Sequence, residues 1–319
     1  MEGTMTFSDA IKTGINTVNK NWMLVIINTI TMMVSMVGFA IIVIVPVVVL
    51  LLIIGADSVH SFENLDPQQL FALFDTKYLG LALFFGVLVA IYSVFVMAAM
   101  LFLYGASSGI IAKSISNNEF VFSFNSFMSE GKRLFTPMLG FTSLTGFLAI
   151  VILAVVVAVF FIFSYFSYSG DVTAGLAVTF IKYLFVLIMV TVAFFMFNCT
   201  LALTFYGSAA LAFNNVRIIA ALKDSFRVMV EAPITFWFFL FTMFLLFSVK
   251  MLLMLITILM SAIPLIGVVF GFTLNLAMPV IFIYLTYIFM ASLFAYYYDK
   301  AAFKTDTVND ETLIEHQIP

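Results

Sequence analysis

WMLVIINTITMMVSMVGFAIIVIVPVVVLLLII, residues 22–54, decides the fold: the whole run contains no Asp, Glu, Lys, Arg or His. A helix crosses the ~30 Å hydrocarbon layer with about 20 apolar residues, because in lipid its backbone groups must be satisfied within the helix itself. The run is also far longer than the ~7–15-residue apolar core of a cleaved signal peptide, so it reads as a span that is retained. Working outward, stretches 78–112, 138–166, 175–213, 234–262 and 265–298 meet the same measure. The expected fold is all-α: a polytopic membrane protein with six transmembrane helices. Several stretches exceed the minimum by ten residues or more, which predicts tilt, kinks or extension beyond the hydrocarbon. Pro46 and Pro279, which lack a backbone donor, are the expected kinks.

Composition agrees. Of the 319 residues 64% are hydrophobic and 9% charged, whereas a soluble domain is about 45–50% apolar and about 25% charged. Surface-to-volume scaling leaves no soluble interior large enough for that excess. Forty Phe against two Trp fits bulky packing in hydrocarbon, and no cofactor is expected. A net charge of −3 without a basic patch argues against a nucleic-acid partner. Cys199 is the only cysteine, so no intrachain disulfide forms; in its apolar run it reads as a small buried hydrophobe.

The lysines and arginines set the expected topology. Lys12 and Lys20 precede the first span; Lys113, Lys132 and Arg133 lie between spans two and three; Arg217, Lys223 and Arg227 lie between four and five; Lys300 and Lys304 follow the sixth. The opposite side carries Lys77 alone, and Lys182 and Lys250 fall inside spans. The positive-inside rule then puts both termini in the cytoplasm, with the chain in the cell membrane. On the outside, only the connection from Gly55 to Lys77 is sizeable. Asp66-Pro67 there has the form of a helix start, followed by an apolar stripe of Leu70, Phe71, Leu73 and Phe74 suited to the outer interface.

Each pair of spans is preceded by a segment of helical period. Phe7, Ile11, Ile15 and Val18 share one face of the first; Ile218, Ile219, Leu222, Phe226 and Met229 share one face of the third; the middle one, Phe120 to Phe135, is less regular. Three interfacial amphipathic helices are expected. The echoes Ala10-Ile11-Lys12 and Ala221-Leu222-Lys223, Tyr104-Gly105 and Tyr206-Gly207, and Asn117-Asn118 and Asn214-Asn215 recur at matching places, and Pro137 and Pro233 open the third and fifth spans. They favour a threefold repeat with units at about 7–113, 118–213 and 216–298 within one membrane domain, 1–298. The simpler alternative is any six-span protein with basic inner connections. The tail 299–319, with Asp306, Asp310, Glu311 and Glu315, is expected to be disordered.

Three of these segments carry a resemblance: Ser8-Asp-Ala-Ile-Lys…Asn19-Lys-Asn-Trp22, Gly131-Lys-Arg-Leu-Phe-Thr-Pro137 and Ala221-Leu-Lys-Asp-Ser-Phe-Arg…Ala232-Pro233. In pattern the chain resembles the membrane domain attached to some bacterial glycerophosphodiester phosphodiesterases and its stand-alone relatives. Only 21 residues follow Tyr298, so the hydrolase domain of those enzymes is not in this sequence and the resemblance implies no hydrolytic activity.

The candidate chemistry is sparse. His60 and His316 are expected on opposite sides of the membrane, and Asp57, His60, Glu63 and Asp66 match no cation-loop spacing. No phosphate-cradling Gly loop, Cys pair or nucleophile elbow is present, and no metal site is expected. Polar groups within spans are the remaining candidates, because charge in hydrocarbon is costly. Lys250, seventeenth of the 29 residues in 234–262, either lines a polar cavity or snorkels outward; Lys182 reads as snorkelling. Asn28 and Asn198 suit interhelical hydrogen bonds. Asn275, four residues before Pro279, keeps a backbone carbonyl without its helical donor; this is either a simple kink or the kind of broken helix that binds ions or substrates in transporters. Gly105 with Gly109, and Gly267 with Gly271, allow close helix contact between chains or within one. The reading that follows is a non-enzymatic membrane protein acting through lipids or protein partners. The alternative is a permease subunit driven by a separate ATPase.

Overall fold

The computed structural model describes residues 5–54, 76–168, 176–261, 263 and 266–315. The long external connection with Asp57, His60, Glu63 and Asp66, most of the other two external turns, and His316 lie outside the described residues. Among those described, the chain is all-helical, and six helices are long and apolar enough to cross a membrane: Met23–Val49, Leu83–Ser116, Phe124–Phe163, Tyr183–Asn214, Ile234–Ser261 and Ala277–Lys300. The chain forms two compact units, Met23–Tyr104 and Met1–Trp22 with Gly105–Pro319.

In the first unit, α2 (Met23–Phe39) passes through one π-helical turn, Ala40–Ile44, into α3 (Val45–Ile54). Pro46 is the second residue of α3. The proline ring would crowd the carbonyl four residues back and supplies no donor there, and a widened turn relieves both problems. The first part of α4 (Thr76–Ser116) runs beside this segment. The Tyr92 hydroxyl donates to the Ser35 carbonyl, and its ring lies 5.3 Å from that of Phe39.

The second unit contains α1 (Phe7–Lys20), the end of α4, α5 (Phe124–Tyr168), α6 (Leu176–Asn214), α7 (Ile218–Glu231), α8 (Ile234–Ser261) and α9 (Ile266–Glu315). Packing is uneven along these helices. Ala106, Ile110, Leu134, Phe141, Tyr206, Phe238, Phe239, Phe294 and Tyr296 form a close core at one end, while Phe147, Phe161, Leu187, Phe194, Phe244 and Leu259 further along are exposed. At 1.5 Å per residue a helix of 45 residues is far longer than the ~30 Å hydrocarbon layer. The exposed apolar lengths are the parts suited to lipid. The same packed end gathers basic connections: Lys113 meets α5, Arg133 meets the end of α6, and Phe213 near that end packs on Tyr298, two residues before Lys300.

One expectation changes. The middle lead-in segment and the third span form one continuous helix, α5, with Pro137 inside it rather than opening it. Leu134, Met138 and Phe141, on either side of the proline, are all buried, and this packing outweighs the one lost backbone bond. The last helix has its bounds at Ile266 and Glu315.

α1 lies antiparallel along the later part of α9. The Met5 amide donates to Asp299 at 3.2 Å, Gly14 faces Ser292, and the Tyr284 hydroxyl donates to Asn19 at 2.6 Å. Thr6 caps the helix: its hydroxyl accepts from the Asp9 amide and donates to the Asp9 carboxylate, and this second bond lowers the Asp9 pKa. The face that α1 buries is Ala10, Gly14, Thr17 and Val18; it shares Val18 with the expected apolar face and is rotated from Phe7, Ile11 and Ile15. Small residues permit the close approach to α9.

Candidate functional site

The packed end is tied by one charged cluster. Ser123 caps α5 by accepting from the Ser126 amide at 3.1 Å, and two turns further on Glu130 is only 3% exposed. Gly109 of α4 makes room for it: a Cβ there would stand 2.5 Å from a Glu130 carboxylate oxygen. Lys113, one turn beyond Gly109, pairs with Oε1 at 2.7 Å. Arg133, one turn beyond Glu130, donates to Oε2 from Nε at 2.8 Å and Nη2 at 2.6 Å. A buried carboxylate is tolerated only when so compensated.

Arg133 also reaches α6. It donates to the Ala212 carbonyl and to Asn215 Oδ1, both at 3.2 Å, satisfying an end-of-helix acceptor as basic side chains commonly do. Asn215 stands at φ 49°, the left-handed conformation that Asn tolerates at a helix end. The cluster therefore fixes the short link from which α7 departs. α7 buries Ala221 and Ser225 and packs on α6, while Ile218 at its start lies against Gly140 of α5. Its outer face carries Ile219, 76% exposed, with Phe226 and Val230 on the same stripe. Lys223 lies within that stripe and Arg227 beside it, both exposed. This helix thus presents an apolar stripe with two cations.

The intramembrane polar candidates do not share one described contact. Lys250 donates to the Thr286 hydroxyl at 3.1 Å and stands 5.5 Å from the Phe282 ring centre, which fastens α8 to α9. Asn198 is buried, and its amide donates to the Phe194 carbonyl one turn back at 2.8 Å. Asn28 is half-buried in the other unit. The side chains of Asn275 and Lys182, and the surroundings of Gly267 and Gly271, lie outside the described residues. Gly105 and Gly109 both face α5, at Leu134 and Glu130. No group of three or more His, Cys, Asp or Glu able to hold a metal occurs among the described residues.

Sequence reasoning passed over Glu130. Its three-residue spacing to Arg133 was legible as a helical ion pair, but Lys113 and Asn215 come from other elements. These features define an all-helical, six-span integral membrane protein. No protein-family model, curated protein sequence or solved structure matches the chain.

Proposed function

We propose that this chain is a non-enzymatic integral membrane protein that acts through lipids and membrane-protein partners, as an accessory, scaffold or regulatory subunit of a membrane complex. The observation that carries the reading is the outer face of α7, where Ile219, Phe226 and Val230 are exposed beside Lys223 and Arg227. Such a face suits the boundary between headgroups and acyl chains: apolar side chains enter the acyl region and the cations stay at phosphate level. In this reading both termini are cytoplasmic, the cell membrane is the location, and anionic inner-leaflet lipids face α7. The pattern-level kinship to the phosphodiesterase-associated membrane domain is part of the proposal.

The test places a spin label at Phe226→Cys in a Cys199→Ser background, in nanodiscs. Collision with oxygen should exceed collision with a water-soluble nickel chelate, and the difference should grow with anionic lipid. A label bathed in water at every lipid composition rejects the interfacial role of α7. Mass spectrometry of the chain extracted in native nanodiscs then separates a partner-bound subunit from a chain that works alone on lipid.

Lys250 supports a second reading, a permease subunit, because it is a charged group held between two spans by Thr286 and Phe282. Lys250→Leu should then abolish transport while leaving a folded protein; unchanged transport removes the residue from any pathway.

A further inference from the structure

We propose that a polar cavity between the last turns of α1 and the end of α4 is a binding site for a phosphate group, either a lipid headgroup's or free phosphate. The cavity measures about 320 Å³ and is lined by Thr13, Asn16, Thr17 and Lys20 of α1 with Ser114, Ile115 and Asn118. That volume lies at the small end of the ~300–1,000 Å³ typical of ligand sites. Thr13, Asn16, Thr17 and Lys20 repeat at helical spacing and share one side of α1. The lining offers one ammonium, three hydroxyls and two amides, and no carboxylate, a donor-rich set suited to an oxyanion.

Two helices end here, and a bare helix C-terminus disfavours an anion. At each end part of the last turn is satisfied within the chain. The Asn21 amide donates to the carbonyls of Thr17 and Val18, and its side chain donates again to Thr17. At the end of α4 the Asn117 amide and the Ser116 hydroxyl take the carbonyls of Lys113 and Ala112. The Lys20 ammonium donates to the Asn118 carbonyl, which holds it at the cavity with two further donors free for a ligand. Asn21 is fully buried and donates to Ser114 at 2.9 Å, yet its Oδ1 has no hydrogen-bond partner. This buried amide braces Thr17 and Ser114, two of the lining residues, from behind the cavity wall.

The inference rests on the lipid-based reading only for the source of the phosphate. The full chain is purified in a phosphate-free maltoside detergent and titrated with phosphatidylglycerol or with inorganic phosphate, followed by native mass spectrometry and by the thermal midpoint. Retention of one phospholipid, weakened about tenfold or more by Lys20→Met and by Asn16→Ala but unchanged by Lys12→Ala, is the expected result. Displacement of that lipid by millimolar inorganic phosphate, or a Lys20-dependent rise in midpoint with phosphate alone, assigns the site to free phosphate; neither effect assigns it to the headgroup. Equal retention by the parent, Lys20→Met and Asn16→Ala overturns the site, and so does an equal loss in Lys12→Ala, which marks general charge attraction. If Lys20→Met fails to fold, the exposed Asn16 decides alone. Failure here leaves the α7 label measurement unaffected, so the two proposals fall separately.

Discussion

Glu130 owes its place to Gly109, which leaves the volume, and to Lys113 and Arg133, which leave no carboxylate oxygen without a cation. Its side chain is 4% exposed, whereas those of Lys113 and Arg133 are 46% and 33% exposed. Removing the carboxylate charge strands two cations that water partly relieves, and it loosens the Arg133 clamp on Asn215. Glu130→Gln should therefore cost about 3 kcal/mol, the lower end for a broken buried pair. Lys113→Met should cost no more than about 1 kcal/mol, as for an exposed pair, because Arg133 remains. Denaturant midpoints in micelles check the order, and equal small losses would show that the cluster is ornamental to stability. Only half of this site was legible beforehand. The Glu130–Arg133 pair is local, but Lys113 and Asn215 join it through two chain reversals, which no single-helix spacing reveals. Attention to charge at mid-span led instead to Lys250, whose described partners are a hydroxyl and a ring.

Element-scale features divide in the same way. Hydropathy is a local sum, so the spans were legible from their own residues. The face a helix buries depends on its neighbour. The periodicity of α1 points to Phe7, Ile11, Ile15 and Val18, of which Val18 is buried and Phe7 packs on Phe238 and Tyr296; the surface of α9 adds Ala10 and Gly14, where the backbones approach. A Cβ at Gly14 would stand 2.2 Å from the Ser292 hydroxyl oxygen and 2.8 Å from the Ser292 backbone nitrogen. The second atom belongs to the helix axis and cannot rotate away. Gly14→Ala should thus lose about 1–3 kcal/mol to overpacking and free the α1–α9 contact, seen as faster amide exchange across residues 7–20. Gly146 has nothing within 4 Å of its Cβ direction, so Gly146→Ala should be neutral or gain up to about 1 kcal/mol of helix propensity. If both substitutions behave alike, the contact of α1 with α9 is not close-packed. Pro137 shows the converse: proline reads as a boundary in sequence, yet packing of Leu134 on Gly105 and of Phe141 on Gly207 carries α5 through it.

At the scale of the whole molecule, the larger unit has a close core at one end and exposed apolar lengths beyond it, a polarity that its lysines and arginines share. Lys113, Arg133 and the start of α7 meet at the packed end, whereas Ser261 closes α8 at its far end. On the proposed reading the positive-inside rule turns that internal polarity into an orientation, with the packed end in the cytoplasm. Three spans, α5, α6 and α8, separate Glu119 from Ser261, so the two positions must face opposite sides whichever way the protein inserts. In a Cys199→Ser background, Ser261→Cys should react with a membrane-impermeant maleimide in intact cells, and Glu119→Cys only after permeabilisation. The reverse pattern would keep the six crossings and invert the orientation, moving Lys223 and Arg227 of α7 to the outer leaflet. Labelling of both positions from one side would mean an even number of crossings between them, so that one of α5, α6 or α8 does not span, and its exposed apolar length would then need a protein partner rather than lipid to cover it.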